Sequence, residues 1–448
     1  MQRVLVWGMA KSGIAAAKLL CQKGFYVRIN DLKTRESLKP DVDALEGLKL
    51  DDRLGEDVLT LLDDVDTLVI SPGIPADHKA ANLARQKGIE VISEIELAWR
   101  FSQGFLVGVT GTNGKTTTTT LIGEIFRAAG RDTKVVGNIG EPYSAHAGET
   151  TDESVTVCEL SSFQLETISS FRPDISLILN LTEDHLNRHK TIENYAHIKE
   201  RVFMNQQAGD ALVLNYDDPI TRDMAHRAKC DVYWFSRSEE VEKGAFVRDG
   251  MVMWKDGNAV SPILPAKDIR IPGKHNLENA LAAAAAAMRA GIPAETVART
   301  LRMFSGVEHR IETVCTKDGI TYINDSKGTN PDSTIKAVET MTAPTVIILG
   351  GSVKNSDYAP MAKVIVNSNV KRAVLIGDTA QAIEKALREA GFTDIANEGY
   401  DFEAAVRRAR DMASEGWNVL LSPACASFDM FRDFEHRGEE FKRITLGF

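Results

Sequence analysis

The stretch VGVTGTNGKTT, Val107 to Thr117, decides how this chain is read. An apolar run from Phe105 to Val109 leads into glycines at 108, 111 and 114, and Lys115, Thr116 and Thr117 open the segment that follows. A strand, a glycine-rich turn and a helix in that order surround an anion with backbone N–H groups and the positive end of a helix dipole. Lys115 adds a point charge and Thr116 a hydroxyl for Mg²⁺, which together suit a nucleoside triphosphate. The common spacing G-x-x-x-x-G-K-[ST] requires glycine at 109, where this chain has Val109, so the loop is a variant of that pattern.

Such a loop belongs to an α/β sheet, and the chain supplies strand-like runs in three sets. The first set opens with Val4–Trp7, turns at Gly8 and Gly13 into a helical pattern from Ile14 to Lys23, and continues with Tyr26–Asp31 and Thr67–Ile70. Ser71-Pro72-Gly73 follows at once, at a strand's C-terminal end, where open α/β sheets bind ligands. Around the phosphate loop lie Val155–Cys158, Ile175–Leu179 and Ala211–Leu214, then an alanine-rich helix between Asn276 and Gly291. A last set comprises Thr345–Leu349, Ala373–Ile376 and Val419–Leu421. The expectation is three α/β domains with mostly parallel sheets: a Rossmann-like 1–92, a central P-loop ATPase-like 93–306 and a Rossmann-like 307–448.

Composition narrows the function classes. With 43% hydrophobic and 26% charged residues and no apolar run near the roughly 20 residues of a bilayer span, membrane insertion is not expected. The start, MQRVLVWGMAKSG, lacks signal-peptide segmentation, so a cytoplasmic location is expected. The five cysteines are far apart without a C-x-x-C pair and read as reduced, buried thiols. A net charge of -10 without a basic run argues against nucleic acid as a partner.

Further polar groups fall at strand ends. Glu159 follows Val155–Cys158, and His185 follows Ile175–Leu179 in NLTEDH, so both can reach a Mg²⁺ between phosphates. Read alone, Glu159 fits a solvated strand end equally well, and His185 fits a helix cap or a core position. Lys327, Lys354 and Ser427 offer cations and a hydroxyl at strand ends of the third set, enough to clamp a small anion.

TGTNGKTT at 110–117, NLTEDHLNRH at 180–189, GKHNLENA at 273–280, EHR at 308–310, NDSKGTNPD at 324–332 and SPACASFDMFRDFEHRG at 422–438 together closely resemble the Mur ligases of peptidoglycan synthesis. The last two motifs, with SPGIP at 71–75, resemble the branch that joins D-glutamate to UDP-N-acetylmuramoyl-L-alanine. The resemblance runs along nearly the whole chain in the same order. It departs at Asn187, where many relatives carry Asp.

The resemblance implies ATP as co-substrate, two Mg²⁺ ions, an acyl-phosphate intermediate and a monomer. It implies that Gly111, Thr112, Asn113, Gly114, Lys115, Thr116 and Thr117 hold ATP phosphates, with Asn279, Arg310 and Asp325 completing that site. Thr116 and Glu159 would hold one Mg²⁺, and His185 the other together with a carbamylated Lys199; Lys115, His185 and Lys199 form the catalytic set. Ser12, Asp31, Lys33, Ser71 and Gly73 would line the uridine diphosphate, with Asn138 and His185 nearer the muramoyl end. Lys327, Thr329, Lys354, Ser427 and Phe434 would bind D-glutamate. From its own surroundings in YAHIKERVF, Lys199 reads as a helix-surface lysine.

Three other readings differ in class or substrate. A nucleotide switch shares the phosphate loop, but no N-K-x-D element for guanine is present. A dinucleotide oxidoreductase fits the opening strand, helix and Asp31, but Ala10 occupies the second glycine of G-x-G-x-x-G. Another Mur ligase or a folylpolyglutamate synthetase-like ligase shares the chemistry and differs in substrate.

Overall fold

Buried apolar runs become the inner strands of three sheets. The computed structural model describes residues 2–39, 41–353 and 356–448, except for the side chains of Asp41 and Asn187. The chain divides into two compact units, Met1–Arg270 with Leu277–Phe304, and Ile271–Asn276 with Ser305–Phe448.

The first unit carries two sheets. Strands β1 (Arg3–Trp7), β2 (Tyr26–Asn30), β3 (Asp51–Asp52), β4 (Thr67–Ile70) and β5 (Glu90–Ser93) form a parallel sheet of order β3-β2-β1-β4-β5. In register with both neighbours, β1 is apolar on both faces: Val4 and Val6 pack on one side, Leu5 and Trp7 on the other. A run with no polar alternation is what a doubly covered parallel strand requires.

The second sheet holds β6 (Phe105–Thr110), β7 (Thr133–Gly137), β8 (Val155–Glu159), β9 (Ile175–Ile178), β10 (Ala211–Asn215), β11 (Asp231–Ser236), β12 (Gly244–Arg248), β13 (Met251–Asp256) and β14 (Ala259–Pro265). Their order is β14-β13-β12-β11-β10-β9-β6-β8-β7. The sheet is parallel from β7 to β12 and antiparallel over the arm β12-β13-β14, an arm that the apolar-run reading leaves unassigned. Asp249 and Gly250, at φ 51° and 73°, make its first turn in a left-handed conformation. The alanine-rich helix spans Lys274–Arg289, beginning two residues before the expected Asn276, and Ala280 to Ala287 are all buried.

The second unit contains β15 (Glu312–Lys317), β16 (Ile320–Asn324), β17 (Thr345–Gly350), β18 (Val370–Ile376), β19 (Ile395–Asn397) and β20 (Asn418–Leu421), in the order β15-β16-β20-β17-β18-β19. Among these named strands the β15–β16 hairpin is antiparallel and the other pairings are parallel. Apolar clusters cover both faces, one around Ile347 and Leu375 and the other around Val346 and Val374. Among the described residues no helix is long and apolar enough to cross a membrane.

Candidate functional site

The phosphate loop leaves the C-terminal end of β6, and its helix runs Lys115–Ala128. Gly114 precedes that helix at φ 84°, and a Cβ there would stand 2.2 Å from Asn279 Oδ1. Glycine is therefore demanded twice, by backbone conformation and by close approach. The loop is tied to the NLTED segment: Thr112 N donates to Asn180 O at 2.9 Å, Asn113 N to Asn180 Oδ1 at 2.9 Å, and Thr182 N to Thr112 Oγ1 at 3.1 Å. Lys115 Nζ donates back to the carbonyls of Gly111 and Thr112, at 2.9 and 2.7 Å. Thr116 and Thr117 are buried on the first helical turn.

Behind this loop lie a buried carboxylate and a buried amine. Glu159, at the end of β8, is 2% exposed, which corrects the reading of a solvated strand end. Its Oε1 accepts from Asn138 Nδ2 at 3.0 Å, while its buried Oε2 has no hydrogen-bond partner among the described residues. An anionic oxygen is costly to bury without a donor or cation, so the carboxylate fits a metal.

Lys199 is also buried rather than on a helix surface, at 1% exposure. Helix Ile192–Glu200 turns Tyr195 and Lys199 inward on one face, and the Lys199 Nζ lies 4.7 Å from the Tyr195 ring centre and 3.3 Å from Thr110 Oγ1. Burial drives its pKa well below the ordinary lysine value, and the charge of Lys115 adds to this. His185 occupies the residue before the short helix Leu186–His189 at φ 53°, its side chain 42% exposed, so it is not a core histidine.

The candidates on the first sheet gather at the C-terminal ends of β1, β2 and β4. Asp31 Oδ2 accepts from Met9 N at 2.8 Å, fixing the turn after β1, and its Oδ1 accepts from Lys33 N. Ser71 Oγ donates to Gly8 O at 2.7 Å, while Gly73 and Lys33 are exposed nearby in sequence. Ser12 sits on the first turn of helix Lys11–Gln22, beside Gly13, where a Cβ would meet Gly8 O at 1.9 Å.

In the second unit, Asp325 follows β16 and is buried, with its pKa raised to about 6 by desolvation and drawn back by Arg310 and by Ser422 Oγ, which donates at 2.7 Å. Lys327 Nζ lies 5.0 Å from the Phe434 ring centre, and Thr329 N donates to Lys327 O. Ser427 is buried in the turn after β20. Lys354 lies outside the described residues. His309 and Ile311 flank Arg310 at φ 62° and 47°, a left-handed pair that is costly for a β-branched residue and marks a constrained loop. Thus Gly111–Thr117 and Asn279 belong to the first unit, and Arg310, Asp325, Lys327, Thr329, Ser427 and Phe434 to the second.

Comparison with known families matches residues 2–93 to the Mur ligase MurD-like N-terminal domain, 109–287 to the Mur ligase middle domain and 309–425 to the Mur ligase glutamate ligase domain. The UDP-N-acetylmuramoylalanine–D-glutamate ligase of Thermoanaerobacter sp. (strain X514) is 46% identical over 446 residues, covering 99% of this chain and 98% of its own. The chain belongs to the Mur ligase family. The ligase of the same name from Clostridioides difficile (strain 630) is 44% identical, covering 98% and 97%. Among solved structures, the UDP-N-acetylmuramate–alanine ligase MurC of Thermotoga maritima shares the fold at a TM-score of 0.60 and 18% identity, covering 100% of this chain and 99% of that one.

This Mur ligase also uses residues to which the motif reading gave no role. Asn180 braces the phosphate loop through backbone and side chain; its place just past a buried run was the readable signal. Arg437 is 0% exposed and donates to Ser326 O, Ser326 Oγ, Cys425 O and Ala426 O, pinning the Asp325–Gly328 loop to the turn after β20. Nothing local in FEHRG announces a buried arginine, because its acceptors are carbonyls from distant loops.

Proposed function

We propose that this Mur ligase joins D-glutamate to UDP-N-acetylmuramoyl-L-alanine in peptidoglycan precursor synthesis, converting ATP to ADP and phosphate. The substrates follow from the relatives that bear that name over almost their whole length. The structural observation that carries the chemistry is a glycine-rich phosphate loop beside a buried carboxylate, one of whose oxygens has no partner among the described residues, and a buried lysine whose pKa burial lowers. A carboxylate acylates an amine only after activation. In this reading the substrate carboxylate attacks the γ-phosphorus, ADP leaves, and the amine of D-glutamate attacks the acyl carbon; the amine loses a proton and phosphate departs.

Each residue has a part in that sequence. Gly111–Thr117 align the phosphates through backbone N–H groups, and Lys115 moves from the loop carbonyls to the transferring phosphoryl group. Thr116 and Glu159 would hold one Mg²⁺, and His185 with a Lys199 carbamate a second; such ions neutralise developing phosphate charge. Burial favours the neutral Lys199 amine, the form whose lone pair can attack carbon dioxide, with loss of a proton, to give the carbamate. Asn279, Arg310 and Asp325 complete the nucleotide site. Ser12, Asp31, Lys33, Ser71, Gly73 and Asn138 serve the UDP-substrate, and Lys327, Thr329, Lys354, Ser427 and Phe434 serve D-glutamate. The division into 1–92, 93–306 and 307–448 gives each substrate a domain, in a cytoplasmic monomer.

The test is ADP release measured with a panel of UDP-muramoyl precursors and amino acids. Release is expected only with UDP-N-acetylmuramoyl-L-alanine and D-glutamate together. Equal use of L-lysine, L-alanine or L-glutamate, or of a folate as acceptor, refutes the assignment.

A further inference from the structure

One guanidinium ties the turn after β4 to the segment that carries His185. Arg188 Nη1 donates to Pro72 O at 2.9 Å and Nη2 to Ile74 O at 3.0 Å, across more than a hundred residues of chain. The same group grips Glu166 with Nε, at 2.9 Å from Oε1, and with Nη2 on Oε2. Its Cζ also lies over the Phe163 ring, 4.3 Å from the centre. Phe163 in turn packs against His185 at 4.8 Å and stacks on His189 at 5.5 Å.

The surrounding polar groups leave this role to Arg188. His189 is buried, bonds Ser162 Oγ through Nε2 at 2.9 Å, and has its pKa lowered to about 4 by burial and by the charges of Arg188 and His185. His189 Nδ1 stays 3.7 Å from Glu166, so the group hydrogen-bonded to that carboxylate is Arg188, whose side chain is 16% exposed. Lysine could not replace it, because a planar fork is needed to serve a carboxylate and two carbonyls at once.

The geometry points to Arg188 as a positioning residue that fixes the Ser71–Pro75 turn relative to His185, and so fits the site to the length of a nucleoside-diphosphate substrate. This rests on the reading above, in which Ser71 and Gly73 meet the diphosphate and His185 the reacting end. Pro72 and Ile74, whose carbonyls Arg188 holds, interleave with those two residues. Loosening the strut leaves the chemistry intact and makes the two ends of the substrate harder to satisfy together.

The test compares UDP-N-acetylmuramoyl-L-alanine with N-acetylmuramoyl-L-alanine, which lacks the nucleotide, in wild type and Arg188→Lys. The KM for the full substrate is expected to rise about tenfold, with the KM for ATP unchanged and kcat/KM for the truncated substrate unchanged. An equal loss on both substrates, or an unchanged KM for the full one, overturns the proposal by showing that Arg188 acts on folding or not at all. If Arg188→Lys does not fold, Glu166→Gln, which loosens the anchor and keeps the guanidinium, is read in the same way. Wild-type failure to use the full substrate would instead refute the functional reading.

Discussion

Replacing Gly114 by alanine tests the phosphate loop with a single methyl group. At φ 84° an L-residue bears about 1–2 kcal/mol of backbone strain. The new Cβ would also stand 2.2 Å from Asn279 Oδ1, so the carboxamide has to swing away. That breaks its contact with Thr118 Oγ1, now 3.4 Å, at about 1 kcal/mol. Together these amount to about 2–3 kcal/mol, or roughly 30- to 150-fold in ATP affinity if the loop relaxes only when nucleotide is absent. Gly130→Ala is the control: φ is 78°, but nothing lies within 4 Å of a Cβ there. It carries the backbone strain without the clash and should leave ATP binding unchanged. The assay is calorimetric titration with ATP. Binding by Gly114→Ala within threefold of wild type would refute the reasoning.

Other substitutions address other parts of the site. Lys199→Ala is expected to cut turnover by at least about 10²-fold, with partial rescue by a short carboxylic acid, measured by ADP release. In bicarbonate-free buffer the depressed Lys199 pKa makes the unfolded chain bind the extra proton below its ordinary value of 10.5, so stability falls as pH drops below that value; Lys199→Met should remove this slope in denaturant titrations. Asp325 has the opposite sign: its pKa, raised from 3.8 to about 6, favours the folded state at low pH, and up to about 3 kcal/mol is lost as pH rises through that window. Asp325→Asn should flatten that loss in the same titration. Arg437→Met leaves buried carbonyls without donors and is expected to destabilise the second unit by about 3 kcal/mol or more in chemical denaturation.

Strands were legible where burial is continuous. The expected Thr67–Ile70 is the observed β4, because a short β-branched apolar run closed by a Ser-Pro-Gly turn suits a parallel strand covered on both faces. The arm β12-β13-β14 and the β15–β16 hairpin went unread although Asp249-Gly250 and Asp318-Gly319 spell left-handed turns between them. Burial alternates along β13, and β14 and β15 are mostly half-buried or exposed, so these strands lack the continuous burial that marks the inner ones.

The phosphate loop was legible from local spacing, since its work is done by backbone. Lys199 was not, because its burial comes from helix Ile192–Glu200 packing behind Thr110, a tertiary event. The i, i+4 pairing of Tyr195 with Lys199 was the one local hint. Arg188 was equally hidden: its partners Glu166, Pro72 and Ile74 lie 22 to 116 positions away.

The central claim is that the substrate carboxylate is activated by direct transfer of the γ-phosphoryl group. It is tested by turning over UDP-N-acetylmuramoyl-L-alanine labelled with ¹⁸O in its carboxylate, with ATP, Mg²⁺ and D-glutamate, and analysing the phosphate released by mass spectrometry. The account predicts one ¹⁸O atom in each phosphate formed, alongside ADP and the D-glutamyl product. Unlabelled phosphate, or label appearing in AMP, would contradict it.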